Sequence, residues 1–173
     1  FGAVVSRRDA RLHRALVAAL RSPDRSVPVR LSAARALHAM DRVWASDADV
    51  VNAVLAGLEP GTFHCDAGRL AADAGPMTPQ VLDSLALQLR RVHECADYVN
   101  LLRAVGRYGA AADSLVQEVA RIATGARACR TGHRCVAVRP VAVDTVVRIA
   151  IDPGRAAGLI APLVNDPDPA VAE

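Results

Sequence analysis

Two equal steps of 34 residues constrain this chain more than any other feature. Ala33-Ala34-Arg35-Ala36-Leu37 returns as Ala67-Gly68-Arg69-Leu70-Ala71, and again as Leu101-Leu102-Arg103-Ala104-Val105. A unit of that length holds one pair of helices, which cannot bury its own apolar face without neighbours, so repeated units must stack. Val27-Pro28-Val29-Arg30 then matches Val136-Ala137-Val138-Arg139, a step of 41 beyond the third unit, which implies about seven inserted residues near Gly125 to Cys135. Asp24 and Val29 reappear once more as Asp166 and Val171, so the sequence stops at Glu173 inside a fifth helix pair.

Each unit reads as two helices of different flavour. The first kind carries aliphatics at a spacing of four: Leu12, Leu16 and Leu20; Val50, Val54 and Leu58; Val81, Leu85 and Leu89; Leu115, Val119 and Ala123; and finally Leu159 and Leu163. The second kind covers Val29 to Met40, roughly Phe63 to Ala74, roughly Ala96 to Tyr108, and Val138 to Ile151. No alternation of period two persists beyond a few residues, so the expected fold is all-α, about nine helices in antiparallel pairs within one repeat domain over 1–173. Aromatic residues are only 3% of the chain while alanines number 35, which calls for backbones that approach closely. The 52% hydrophobic content excludes a disordered polymer. Charged residues interrupt every long apolar run, so no membrane span is expected. Four sparse cysteines read as reduced thiols of an intracellular, cytoplasmic protein. A first residue of Phe1, with no leader pattern, reads as a piece of a longer chain.

Pro23-Asp24 leading to Val29-Arg30-Leu31-Ser32-Ala33-Ala34-Arg35-Ala36-Leu37 resembles the HEAT-repeat pattern, in the PBS-lyase type of HEAT-like repeat. Asn165-Asp166-Pro167-Asp168-Pro169-Ala170-Val171 is similar to its opening. The middle two units keep the small-Arg-aliphatic core and lose the Val-Arg pair. The resemblance implies a right-handed α-solenoid of about four to five stacked antiparallel helix pairs, with the second helices lining a concave docking surface. It also implies that Arg30 and Arg139, beside the turn aspartate, act as structural bridges between repeats.

All 21 basic residues are arginine, a bias that fits a GC-rich bacterial genome, so position says more than number. Residues 1 to 42 hold nine of them against three aspartates. Arg35, Arg69 and Arg103 occupy one equivalent position and would form a ladder suited to an acidic protein surface or to phosphates. Asp73, four residues after Arg69, is expected to neutralise the middle rung and leave Arg35 and Arg103 free. Cys129, His133 and Cys135, with His64, Cys65, His93 and Cys95 elsewhere, lack the spacing of a four-ligand zinc site, so neither metal nor cofactor is expected. No nucleophile, base and orienting group come together in a motif, and no catalytic residue is assigned. The leading expectation is a protein-interaction scaffold or regulatory segment of a larger protein that catalyses nothing itself. The alternatives are nucleic-acid binding along the basic N-terminal end and the arginine ladder, and a HEAT-like glycosylase or lyase with an acid beside Trp44.

Overall fold

Helices form along this chain wherever aliphatic residues return at intervals of three and four, and they stop where the backbone must turn. The computed structural model describes residues 7–40, 47–59, 65–91, 95–125 and 138–166. Among the described residues there are nine α-helices and no strand: α1 (Arg7–Arg21), α2 (Val27–Met40), α3 (Ala48–Gly57), α4 (Cys65–Ala74), α5 (Pro79–Arg91), α6 (Cys95–Gly106), α7 (Val116–Ala123), α8 (Val138–Ile149) and α9 (Pro153–Ile160). The all-α expectation therefore holds. The second helix of each expected pair appears as α2, α4, α6 and α8, with ends within two residues of those read from the sequence. Among the described residues no helix is long and apolar enough to cross a membrane.

The boundaries follow local chemistry. Asp47 caps α3 by accepting a 2.8 Å bond from the Asp49 amide, and Asp152 does the same for Gly154 ahead of α9, whose first residue is Pro153. Gly75, directly after α4, has φ +93°, and Gly125, two residues beyond α7, has φ +72°. A side chain would strain both turns. One residue departs from expectation: Leu115, read with Val119 and Ala123 on one helix, closes a 3-10 helix, Gly109–Leu115, that precedes α7. Its Asp113 accepts bonds from the Ile151 amide at 2.9 Å and from Arg155 at 3.1 Å, so its polar groups are spent on a link to the entry of α9. The loop expected over Gly125 to Cys135 lies, after Gly125, outside the described residues.

Each even helix packs on the next, α2 on α4, α4 on α6 and α6 on α8, while α1, α3, α5 and α7 pack on the even helix that follows them. The repeat register governs burial. Ala33, Ala67, Leu101 and Ala142 stand at one equivalent position and are all buried; four residues on, so are Leu37, Ala71, Val105 and Val146. Small residues set the spacing. A Cβ on Gly57 would lie 2.7 Å from the Ala67 Cβ and 2.9 Å from a Leu31 methyl, so the end of α3 seats against α2 and α4 only because it has no side chain.

Polar links between neighbouring repeats reinforce the stack. Gln88 donates a buried 2.6 Å bond to the Leu58 carbonyl, and the half-buried Tyr108 hydroxyl donates to the Thr78 carbonyl at 3.2 Å while accepting from the Met77 amide. Burial pushes the Tyr108 phenol up, and the Met77 amide pulls it back in part. Arg21 meets Asp49 at 2.7 Å, and Arg139 grips both carboxylate oxygens of Asp166 while its Nε donates to the Ala123 carbonyl at 3.0 Å. Apart from the Arg139 bond to Ala123, which spans 16, these links join residues 27 to 31 apart. Arg155 to Asp113 spans 42 and Thr145 to the Leu102 carbonyl spans 43, and both cross the segment between α7 and α8.

Two glycine substitutions test this packing. Gly57→Ala should lower the unfolding free energy by about 1–3 kcal/mol through overpacking, outweighing its gain in helix propensity. Gly158→Ala in α9, where an added Cβ meets nothing within 4 Å, should raise it by up to about 1 kcal/mol. Urea unfolding of both variants reads the difference.

Candidate functional site

The exposed face of the even helices carries the charged residues of the repeat core. At one position stand Arg35 on α2, Arg69 on α4, Arg103 on α6 and Asp144 on α8; one turn later stand Ala39, Asp73, Arg107 and Arg148. A helix brings residues four apart onto the same face, so the two rows run side by side. Two clefts open there. One lies along α2 and reaches α4, lined by Ser32, Arg35, His38 and Asp73 among others. The second lies between α4, α6 and α8 and includes Asp73, Arg103, Arg107, Asp144, Thr145 and Arg148. Asp73 lines both.

The ion pairs differ from those expected. Arg35 is not free: its Nη1 donates to Asp66 Oδ1 at 2.7 Å, across to the first turn of α4, with both side chains a little over one-third exposed. Asp66 sits where the α4 dipole also favours a carboxylate. Arg69, in contrast, forms no ion pair with Asp73 or with any other described residue, and Arg103 and Arg107 are likewise exposed and unpaired. Orientation accounts for the contrast with α8, where Arg148 does meet Asp144 at 2.7 Å. An acid preceding the base by four residues is the favourable order on a helix, and Asp144 precedes Arg148 whereas Asp73 follows Arg69. The bond and the charge of Asp144 both raise the affinity of the Arg148 guanidinium for its proton.

Arg139 makes the bridge between repeats that its place in the pattern implies. Among the described residues Arg30 makes no such bridge, and its Nε is buried without a hydrogen-bond partner. The His38 Nδ1, on the wall of the first cleft, is similarly buried and unmatched. Arg107, Arg148 and Asp144 were missed by the sequence reading, although the same register carries them: Arg107 lies 34 residues after Asp73, and Asp144 lies 41 after Arg103.

Cys65 is an exposed free thiol, and among the described residues no three His, Cys, Asp or Glu side chains come together in a way that would hold a metal ion. Cys129, His133, Cys135, His64, His93 and Trp44 lie outside the described residues. No family model matches the chain, and no curated protein and no solved structure matches it.

The pairing pattern sets an order of stability effects. Arg69→Ala and Arg103→Ala should leave the unfolding free energy within about 0.5 kcal/mol, and Arg35→Ala should cost up to about 1 kcal/mol. Arg139→Ala, which strips two bonds from a largely buried carboxylate and a third from the Ala123 carbonyl, should cost about 1.5–3 kcal/mol. Denaturant titration of the four variants checks the ranking.

Proposed function

We propose that the chain is a docking scaffold: a HEAT-like, right-handed α-solenoid of four to five helix pairs whose even helices form the concave side and receive a partner protein with an acidic surface. The observation that carries this reading is a pair of equivalent guanidiniums, Arg69 and Arg103, exposed and without an ion pair among the described residues, on two helices that pack directly on each other. Neighbouring helices stand about 8–10 Å apart. Two fixed cations at that separation suit carboxylates carried along a partner's surface, and each guanidinium can bind one in a bidentate fork.

Several features favour a stacked solenoid over a closed bundle. The even helices contact one another in chain order, and most of the polar links join residues somewhat less than one repeat apart. Each added repeat extends such a surface, which is how solenoids serve as binding platforms. The partners assigned to the ladder therefore change from three arginines to a graded set. Arg69 and Arg103 bind directly, Arg107 extends them, and Arg35 joins only if Asp66 releases it.

Protein is favoured over nucleic acid by the acids interleaved on the same face. Asp73 and Asp144 would meet a phosphate backbone with like charge, which a surface evolved for phosphate contacts avoids.

Fluorescence anisotropy with a labelled glutamate-rich helical peptide and a single-stranded DNA of equal charge tests the proposal. The peptide should bind with salt-dependent affinity, and Arg69→Glu/Arg103→Glu should weaken it more than tenfold with the circular dichroism spectrum unchanged. Tighter binding of the DNA, or peptide binding indifferent to the double variant, would contradict the reading.

A further inference from the structure

The cleft between α4, α6 and α8 carries more information than its positive charge. Arg103, in the last turn of α6, and Arg107, one residue past its end, bring two like charges to one wall of the cleft, which a bound anion would offset. Facing them from α8 is Arg148, already engaged by Asp144. From α4 comes Asp73. Of the three acids on this face, Asp66 is held by Arg35 and Asp144 by Arg148, whereas Asp73 makes no ion pair or hydrogen bond among the described residues.

Three guanidiniums and two carboxylates leave this cleft with one positive charge. Arg148 and Asp144 offset each other, which leaves Arg103 and Arg107 to share one carboxylate with Asp73 beside them, a poor match for a phosphate monoester that carries about −1.5 to −2. Asp73, unpaired beside it, offers a place for a cation. Asp73 near the end of α4 and Arg107 just past the end of α6 hold equivalent positions on neighbouring units, whose helix axes stand roughly 8–10 Å apart, and a guest must span about that distance to use both. On a helix, residues seven apart share a face and are separated by about 10 Å.

Resting on the docking function proposed above, we infer that this cleft selects a zwitterionic partner segment: an aspartate or glutamate seated between Arg103 and Arg107, with a lysine or arginine about two helical turns away on Asp73. Asp73 then sets specificity by repelling segments that are acidic throughout, while the arginines supply attraction.

Three labelled helical peptides of otherwise identical sequence test the inference, one with Lys and Glu seven residues apart, one with Glu at both places, and one with Lys and phosphoserine. Wild-type protein should prefer the Lys-Glu peptide over Glu-Glu by about fivefold, the size of one exposed charge pair, and gain nothing from phosphoserine. Asp73→Arg should invert that preference, and Arg103→Ala should weaken all three peptides. If Glu-Glu or phosphoserine binds as well as Lys-Glu, or Asp73→Arg leaves the ranking unchanged, the zwitterion selectivity is wrong while the docking function stands. If wild-type protein binds none of the peptides, both fall.

Discussion

The close approach of consecutive even helices is the constraint on which everything else rests. Ala33, Ala67 and Ala142 keep one buried position narrow, and a Cβ on Gly68 would already touch Leu101 of α6 at 3.4 Å. At the junction of α2, α3 and α4 even one methyl group has no room, which is why Gly57 stands there. Dispersion and apolar burial reward this density only when the facing helix is in place. A chain with so few aromatic side chains has little bulk to fill wider gaps, and tight backbone packing is the arrangement open to it.

Tight packing also decides where charge goes. With one side of each even helix buried, its polar residues are confined to the opposite face, where the repeat aligns them into rows. Whether an arginine in a row is spent or free then depends on which acid it can reach. Arg35 reaches Asp66 on the next helix, Arg148 reaches back one turn to Asp144, and Arg139 holds Asp166 in the following repeat. Arg69, Arg103 and Arg107 are left facing solvent. The same face therefore divides into a structural part, which ties repeats together, and a part with unspent charge, which supports the proposed docking role.

Much of the architecture was legible in the sequence because it depends on periodicity. The 34-residue step predicted α2, α4 and α6 and their buried columns, and the offset of 41 placed Ala142 and Val146 of α8 in the same columns. The 3-10 helix at Gly109–Leu115 was not legible, since Asp113 is committed to groups 38 and 42 residues away. Ion pairing was misjudged for a related reason. A spacing of four on one helix suggested that Asp73 would neutralise Arg69, but the order of the two residues is unfavourable, and the pairing of Arg35 depends on a helix-to-helix contact that no local window contains. Arg107 was legible and overlooked, being simply the next turn of the same register.

The central claim is that free guanidiniums on stacked even helices, rather than basic charge in general, receive an acidic partner. Guanidinium Nε–H resonances followed by NMR during titration with a glutamate-rich helical peptide measure this residue by residue. The signals of Arg69, Arg103 and Arg107 should shift together and saturably, while Arg139, held by Asp166 and the Ala123 carbonyl, stays in place. Shifts concentrated at Arg11 and Arg14 of α1, or spread evenly over every exposed arginine, would contradict it.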